Sequence, residues 1–447
     1  MRGWVVAGIL VLALWVAGCA GPEVPLFTGE PYLIVWAGDA DRQNSDFLAV
    51  LDADPTSASY GKVLRTYPVR SRGNEPNALT AAPRADRRVF ATALLTNRTF
   101  VFDLRQPLAG RLIHADEPDS RRRLCAPQEP VSLPNGRVVV ACSDPARYRG
   151  EAREVVTAAG GILELTPDGY PGREVSAADA TARGLLFAPT GAAVMATGGR
   201  LVTTSNAHGY AATTQGERMP GISVQIWRLE DLALVKTLGL EAGPRGEENL
   251  GPLAARVMRR KPFVYVNTEG GGLYASDSVQ TDVATFRLVF DFGPGVLGGG
   301  AALTPDDRFY VVALTGRNRV ASLDLADPWN PKPVSSVRFD RDPADSSRSR
   351  RGGPNTLVMS ADGTRVAVSD YTVDVPAYFQ DGDHRVYMLR LDPTTGRLRI
   401  DGAFVDELTG EVGIDFNRTR WPHGETGPAR PKGLLFVTPE PPPAPGK

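Results

Sequence analysis

Near the C-terminus the chain reads "TRWPHGETGPARPKGLLFV", Thr419 to Val437, with His423, Glu425, Arg430 and Lys432 crowded ahead of a short apolar run. An imidazole and a carboxylate at this spacing could move a proton or hold a metal, and a guanidinium and an ammonium could hold an anion. The whole chain has four histidines: His114, His208, His384 and His423. None is spaced with another as metal ligands on one element are. His384, in "DGDHRVYML", lies beside Asp381 and Asp383, and a carboxylate can orient an imidazole as a ligand. A surface ion pair is the plainer reading of the same residues. His114 sits among charges and reads as solvated, and His208 falls in a long inter-strand segment. Neither G-x-S-x-G nor H-E-x-x-H occurs, so the common serine-hydrolase and zinc-protease signatures are missing.

The elements that must position these residues are strands. Helical periodicity is nearly absent. An apolar run ending in a polar residue and a turn recurs seven times: "LAVLDADP" (48–55), "TFVFDLRQP" (99–107), "GILELTPDG" (161–169), "VQIWRLEDL" (224–232), "GGLYASDS" (271–278), "VASLDLADP" (320–328) and "VYMLRLDPT" (386–394). The copies lie about 47 to 66 residues apart, room for four strands each. A tight turn opening a new strand precedes several of them, as in "LPNGRVVVA" and "SADGTRVAVSD". The fold class is therefore all-β, a seven-bladed β-propeller. "YLIVWAG" (32–38) and "GLLFVTP" (433–439) stand outside the seven units and are expected to pair and close the ring. Segments 142–160 and 338–353 read as long loops. "GPGVLG" (293–298) matches a dinucleotide-binding pattern, but turn and strand follow it rather than a helix. Its glycines are read as letting inner strands crowd the channel.

The N-terminus sets the compartment. Met1 and Arg2 precede an unbroken apolar run from Gly3 to Trp15, then Val16-Ala17-Gly18-Cys19. This is the layout of a bacterial lipoprotein signal, with residues 1–18 removed and Cys19 acylated. The run is too short to span a bilayer. Ala20 follows, so no Asp marks inner-membrane retention. Residues 19–31 read as a tether, 32–439 as the propeller and 440–447 as a proline-rich tail. The expected location is the bacterial cell envelope, lipid-anchored at the periplasmic face or outer membrane. A net charge of −1 gives no basic field for nucleic acid, and a monomer is expected. Cys125 and Cys142 flank the turn Leu133–Gly136 and form a candidate disulfide in an oxidising compartment, with two buried thiols as the alternative.

With these residues in view, the chain resembles the selenium-binding protein family, whose best-known activity is methanethiol oxidase. The resemblance rests on "YLIVWAGDADRQNSDFLAVLDADPTSASYGKVL", "GNEPN", "NRTFVFDLRQP", "LPNGRVVVA", "VQIWRLEDLALVKTL", "GGPNTLVMSADGTRVAVSDY", "GDHRVYMLRLD" and "IDFNRTRWPHGETGPARPKGLLF", in the family's order. It implies a seven-bladed propeller with a histidine-lined metal site near the channel, proposed to hold copper in the oxidase. The departures fall on that site. Asn77 and Ala78 stand where the family has histidine after "NEP". Gln128 and Glu129 replace a Pro-His-Ser phrase, Asn355 stands where histidine often follows "GGP", and Lys432 replaces the histidine of "ARPHG". His384 is kept.

Copper and zinc favour imidazole or thiolate, and a protonated lysine offers no lone pair. The candidate channel site is thus Glu75, Asn77, Glu129, Asn355, His384, Arg430 and Lys432, a mixed-charge mouth for a small polar or anionic ligand with no cofactor expected, and the chain reads as an envelope ligand-binding or scaffold protein rather than an active oxidase. His384 is the one weak metal candidate. Two other readings stay open. One is a working metal-dependent methanethiol oxidase using His384 and substitute ligands. The other is a lactonase-like propeller in which Glu75, Asn77, Glu129 and Asn355 mimic a calcium set.

Overall fold

A computed structural model describes residues 27–82, 87–117, 124–145, 159–183, 185–206, 221–281, 283–339, 353–372 and 382–441, apart from the side chains of Cys125, Asp144 and Pro145. The described residues are almost entirely strands, arranged as seven antiparallel sheets. Blade one consists of β1 (Tyr32–Asp39), β2 (Phe47–Asp52), β3 (Val63–Pro68) and β29 (Ala429–Val437), in the order β29-β1-β2-β3. The C-terminal strand is therefore its inner strand, and the expected closure is observed: Tyr32 pairs with Val437 and Trp36 with Gly433. Closure leaves no open sheet edge between the chain ends.

The other blades follow in sequence. Blade two runs from β4 (Pro76–Ala81) to β7 (Arg111–Ala115), and blade three from β8 (Leu124–Ser132) to β11 (Pro171–Ser176). Blade four spans β12 (Pro189–Met195) to β15 (Leu234–Gly239), and blade five β16 (Pro252–Val257) to β19 (Arg287–Asp291). Blade six spans β20 (Gly298–Leu303) to β23 (Lys332–Arg338), and blade seven β24 (Thr356–Met359) to β27 (Leu398–Ile400). Each of the seven recurring segments contributes the third strand of one blade, which is why it repeats: that strand is paired on both edges and packed on both faces. Its buried sequences, such as FLAVLD and GILEL, are nearly continuous in apolar residues.

The core lies between blades. Ile34, Trp36, Leu48 and Val50 of blade one meet Val89, Phe100 and Phe102 of blade two. The Trp36 indole donates to the Thr92 carbonyl at 2.9 Å, which satisfies its one polar atom. Each such fully buried apolar side chain contributes roughly 1.5–3 kcal/mol. Gly298, Gly299 and Gly300 open blade six's inner strand. A Cβ on Gly298 would lie 2.3 Å from the Thr268 carbonyl and one on Gly299 2.7 Å from the Asn355 carbonyl. The last glycine of "GPGVLG" thus lets inner strands approach, as expected, whereas Gly293 and Gly295 sit in open turns with positive φ.

Several local expectations change. His114 is on the outer strand β7, half-buried, with its ring 4.5 Å from that of Tyr170, because blade three's turn packs against it. Phe27–Pro31 is docked rather than loose: Arg365 donates to the Glu30 carbonyl at 3.1 Å and lies over the Phe27 ring at 4.7 Å. Pairing in blade three continues through Pro145, into the segment read as a loop. There Cys142 is buried opposite Pro127 and Cys125 opposite Asp144. The Cys125 side chain, residues 1–26, His208 and Asp381 lie outside the described residues.

Candidate functional site

Inner strands start at one face of the ring, here the upper face, and end at the lower. Most of these starts are irregular. Register shifts occur between Pro76 and Leu79, Pro127 and Pro130, Pro189 and Ala192, Pro252 and Ala254, and Gly298 and Ala301. In blade one, Trp36 pairs with Gly433 and Ala37 with Pro431, so Lys432 is left over in a bulge. Proline cannot donate to the ladder and favours such places, and bulges re-aim side chains. This is how Asn77, Gln128, Glu129 and Lys432 leave the regular ladder at the channel.

Three of the candidates converge where blades seven, one and two meet. Lys432 is buried, and its ammonium donates to Asn355 Oδ1. Burial pushes the Lys432 amine down from 10.5 to about 8, against the opposing pull of the nearby Glu75 carboxylate. Glu75 is itself buried and adopts a positive φ of 55°. Its Oε1 accepts from the Tyr371 hydroxyl at 2.7 Å and its Oε2 from Arg42 at 3.1 Å. Asn355 also donates to Thr315 Oγ1 at 3.4 Å, and its carbonyl accepts from the Gly300 amide at 2.7 Å.

His384 and Arg430 adjoin this group. The His384 ring lies 5.9 Å from that of Tyr371. Its Nδ1 is 3.0 Å from Asn417 Oδ1 and 3.1 Å from Arg430 Nη1. A guanidinium only donates, so the Arg430 contact needs the Nδ1 lone pair, whereas the Asn417 contact needs a proton on the same atom. One atom serves one of them at a time. Asp383, expected beside this histidine, accepts from the Tyr387 hydroxyl at 2.5 Å and the Arg385 amide at 3.0 Å. Beneath Glu75, buried Asp46 accepts from the Asp39 and Asn74 amides, each at 2.8 Å, which braces the loop carrying Arg42. Burial raises the Asp46 carboxyl to about 6.

The remaining candidates lie elsewhere on the ring. Asn77 donates to Gln128 Oε1 at 3.0 Å and to the Pro127 carbonyl at 3.3 Å. Glu129 does not stand beside Lys432 as the sequence led us to expect: it pairs with Arg256 at 3.0 Å and accepts from the Ala192 amide at 3.1 Å. The bulge in blade three frees Glu129 from its ladder, while Arg256 reaches it from the regular part of blade five's inner strand. His423 is also apart, with Nδ1 2.7 Å from Thr66 Oγ1, Nε2 3.1 Å from Glu425 Oε2 and its ring 5.0 Å from that of Phe47. Sequence reasoning missed Tyr371 and Arg42. The signal for Tyr371 was available in "AVSDY", where a phenol follows a strand directly.

The donor set at the junction is one imidazole, one carboxylate held by a phenol and a guanidinium, one amide and an ammonium. Copper favours several imidazole or thiolate donors, and these residues do not fit it. The set that could mimic calcium ligation is also divided, since Asn77 and Glu129 have partners away from Glu75 and Asn355. Among the described residues no three His, Cys, Asp or Glu side chains are arranged to hold a metal ion.

The fold is a seven-bladed β-propeller, and polar side chains cluster where its inner strands start. Among solved structures, a hypothetical selenium-binding protein from Sulfolobus tokodaii matches with a TM-score of 0.68 and 18% identity, over 92% of this chain and 94% of that one. A putative 6-phosphogluconolactonase from Bacteroides uniformis matches with a TM-score of 0.60 and 11% identity, over 91% and 100%. A second, from Bacteroides fragilis, gives 0.56 and 11%, over 92% and 99%. At such identities the likeness is one of fold. In sequence, a methanethiol oxidase from Hyphomicrobium is 33% identical over 168 residues, spanning 34% of this chain and 38% of that protein's length. No protein-family model matches. The sequence match over that third of the chain supports a relationship to the methanethiol oxidase family, and the fold is that of the selenium-binding neighbour.

Proposed function

We propose that the protein is a lipid-anchored propeller of the bacterial envelope that binds a small anion, or a small polar ligand, at the junction of blades seven, one and two, without the oxidase metal. One observation carries this reading. Lys432 and Asn355 stand where the family resemblance places histidines, and the Lys432 ammonium donates to Asn355 Oδ1. A cation thus occupies the position that a metal site would need for a donor. Lys432 and Arg42 both act on the Glu75 carboxylate, and Arg430 adjoins them through His384. An anion displacing the Asn355 contact would gain a charge-assisted hydrogen bond in a poorly solvated place.

Elemental analysis of protein purified with detergent from the envelope membranes tests the metal half. Copper far below one per chain is expected, with a gain when Asn355 and Lys432, which do meet, are together replaced by histidine. Stoichiometric copper in the parent protein would overturn the reading in favour of the oxidase. Titration calorimetry with sulfate and acetate tests the ligand half: heat of binding is expected, and its persistence unchanged in Lys432→Met would move the site elsewhere. For the anchor, palmitate should label the parent protein and not Cys19→Ser.

A further inference from the structure

The path of the chain outside the site indicates how the molecule sits on its membrane. Val437 ends inner strand β29 and Tyr32 opens β1 opposite it, at the lower face. Before Tyr32, Glu30 is pinned there: its Oε1 accepts from the Ala361 amide at 2.8 Å, in the turn between β24 and β25 (Arg365–Ser369), and Oε2 pairs with Arg365 at 3.4 Å. The other end leaves by the same face, where the Glu440 amide donates to the Arg105 carbonyl at 2.7 Å. Arg365 and Ser369 are opposite ends of one strand. Ser369 lies beside Lys432 and Asn355, its hydroxyl 3.3 Å from the Lys432 carbonyl and its own carbonyl accepting from the Asn355 amide at 3.0 Å. The site is thus at the upper face and both termini are at the lower.

The lower face also carries exposed apolar side chains. Leu108, Tyr170 and Val283, at 42%, 59% and 75% exposure, lie in the turns joining third and fourth strands of blades two, three and five. Those turns are at the lower end, as the turn from β1 to β2 at Arg42 is at the upper. Leu95 is exposed at the upper face, Ile113 and Val235 on outer strands, and Leu408, at 64%, in the segment after β27. Arg259, Arg260 and Lys261 form an exposed lower turn, but Asp306 and Asp307 of blade six offset much of their charge, the amides of Arg259 and Arg260 each donating to Asp307 at 2.8 Å. Apolar side chains scattered singly do not mark an interface by themselves; the exit of both chain ends at this face is what aims them at a bilayer.

We infer that the lower face rests on the phospholipid bilayer that holds the anchor and that the Lys432 site opens away from it. The inference rests on the lipid-anchor reading: Cys19 and Phe27 are eight residues apart, a reach of at most about 28 Å. A tether this short, pinned by Phe27 and Glu30, keeps the lower face near the headgroups and presents Leu108, Tyr170 and Val283 to them.

The test uses the full acylated chain in phosphatidylcholine–phosphatidylglycerol vesicles, with a fluorophore on a cysteine placed at Thr281 (lower) or Gln43 (upper) and spin-labelled lipid as quencher. The chain without added cysteines supplies the labelling blank. Quenching at Thr281 should exceed that at Gln43 several-fold, and Leu108→Glu with Val283→Glu should lower it while the protein still floats with the vesicles. A chain that does not float refutes both anchor and docking. Flotation with equal quenching at the two positions, or quenching at Thr281 that ignores the two glutamates, refutes the docking and leaves the anchor standing.

Discussion

Replacing Lys432 by methionine should change how stability depends on pH. The Lys432 amine is lowered from 10.5 to about 8 by burial. Between those values the unfolded chain binds a proton at this position that the folded protein does not, so stability rises with pH across the window. Each pH unit corresponds to about 1.4 kcal/mol, so the buried ammonium costs on the order of 3 kcal/mol below pH 8, a cost relieved by pH 10.5. Methionine removes that cost and leaves Asn355 Oδ1 without its lysine donor, a loss of about 1–3 kcal/mol. At pH 7 the variant should therefore match the parent or exceed it modestly. The stronger expectation is a difference curve. Urea denaturation of both proteins from pH 7 to 10.5 should show the parent gaining about 3 kcal/mol on the variant. Groups that titrate in both proteins cancel. A flat difference would mean that the amine is not perturbed by its burial, and the reasoning about this site would fail. An anion beside Lys432 would raise its pKa again, so sulfate affinity should fall as pH passes about 8.

Further outcomes can be checked on the same protein. Asp46 is raised to about 6 by burial, so its charge costs stability above pH 6 and the cost is relieved as pH falls towards 3.8; parent minus Asp46→Asn should grow by about 3 kcal/mol over that window in matched denaturation curves. Arg418→Ala should cost about 3–5 kcal/mol, read as a lowered midpoint in denaturant, because it leaves buried Asp406, 2.7 Å from the Arg418 guanidinium, without its ion pair. Deleting residues 433–447 removes most of β29 and bares the β1 edge; aggregation on light scattering is expected, and a monomer with unchanged melting would contradict the closed ring.

How much of this was legible in the sequence varies with the physics behind each element. The blades were visible because each third strand must be apolar along its whole length, and buried runs such as FLAVLD and VASLD survive as repeated text. Closure was visible because only two strong strands remained without a unit. The site was visible in part. Lys432 and Asn355 were singled out and do meet. Glu129 was placed with them and instead faces Arg256, since which inner-strand bulge points where depends on ring geometry that the local sequence does not carry. Arg42 was missed because a guanidinium in a turn has no period to mark it, and Tyr371 because only its place just after the strand text "AVS" marked it. His114 was read as solvated because its neighbours in sequence are charged, while the neighbour that buries it, Tyr170, belongs to the next blade.

The crowding before the final strand has a related explanation. His423 and Glu425 come before the strand begins, in the turn that packs onto Phe47 and Thr66 of blade one, and Glu425 also accepts from the Ser45 amide at 3.2 Å. They hold the incoming chain against the blade that it is about to complete. Arg430 and Lys432 lie within the strand, where Pro431 supplies no donor and the register slips by one residue. The slip frees Lys432 from the ladder and turns a closing strand into a site residue. A bulge is a local loss of pairing at the seam that holds the ring shut. Restoring regular pairing there, by deleting Lys432, should therefore leave the ring closed, with melting lowered little, while abolishing sulfate binding. Collapse of the fold on that deletion would show that closure itself requires the bulge, against the expectation.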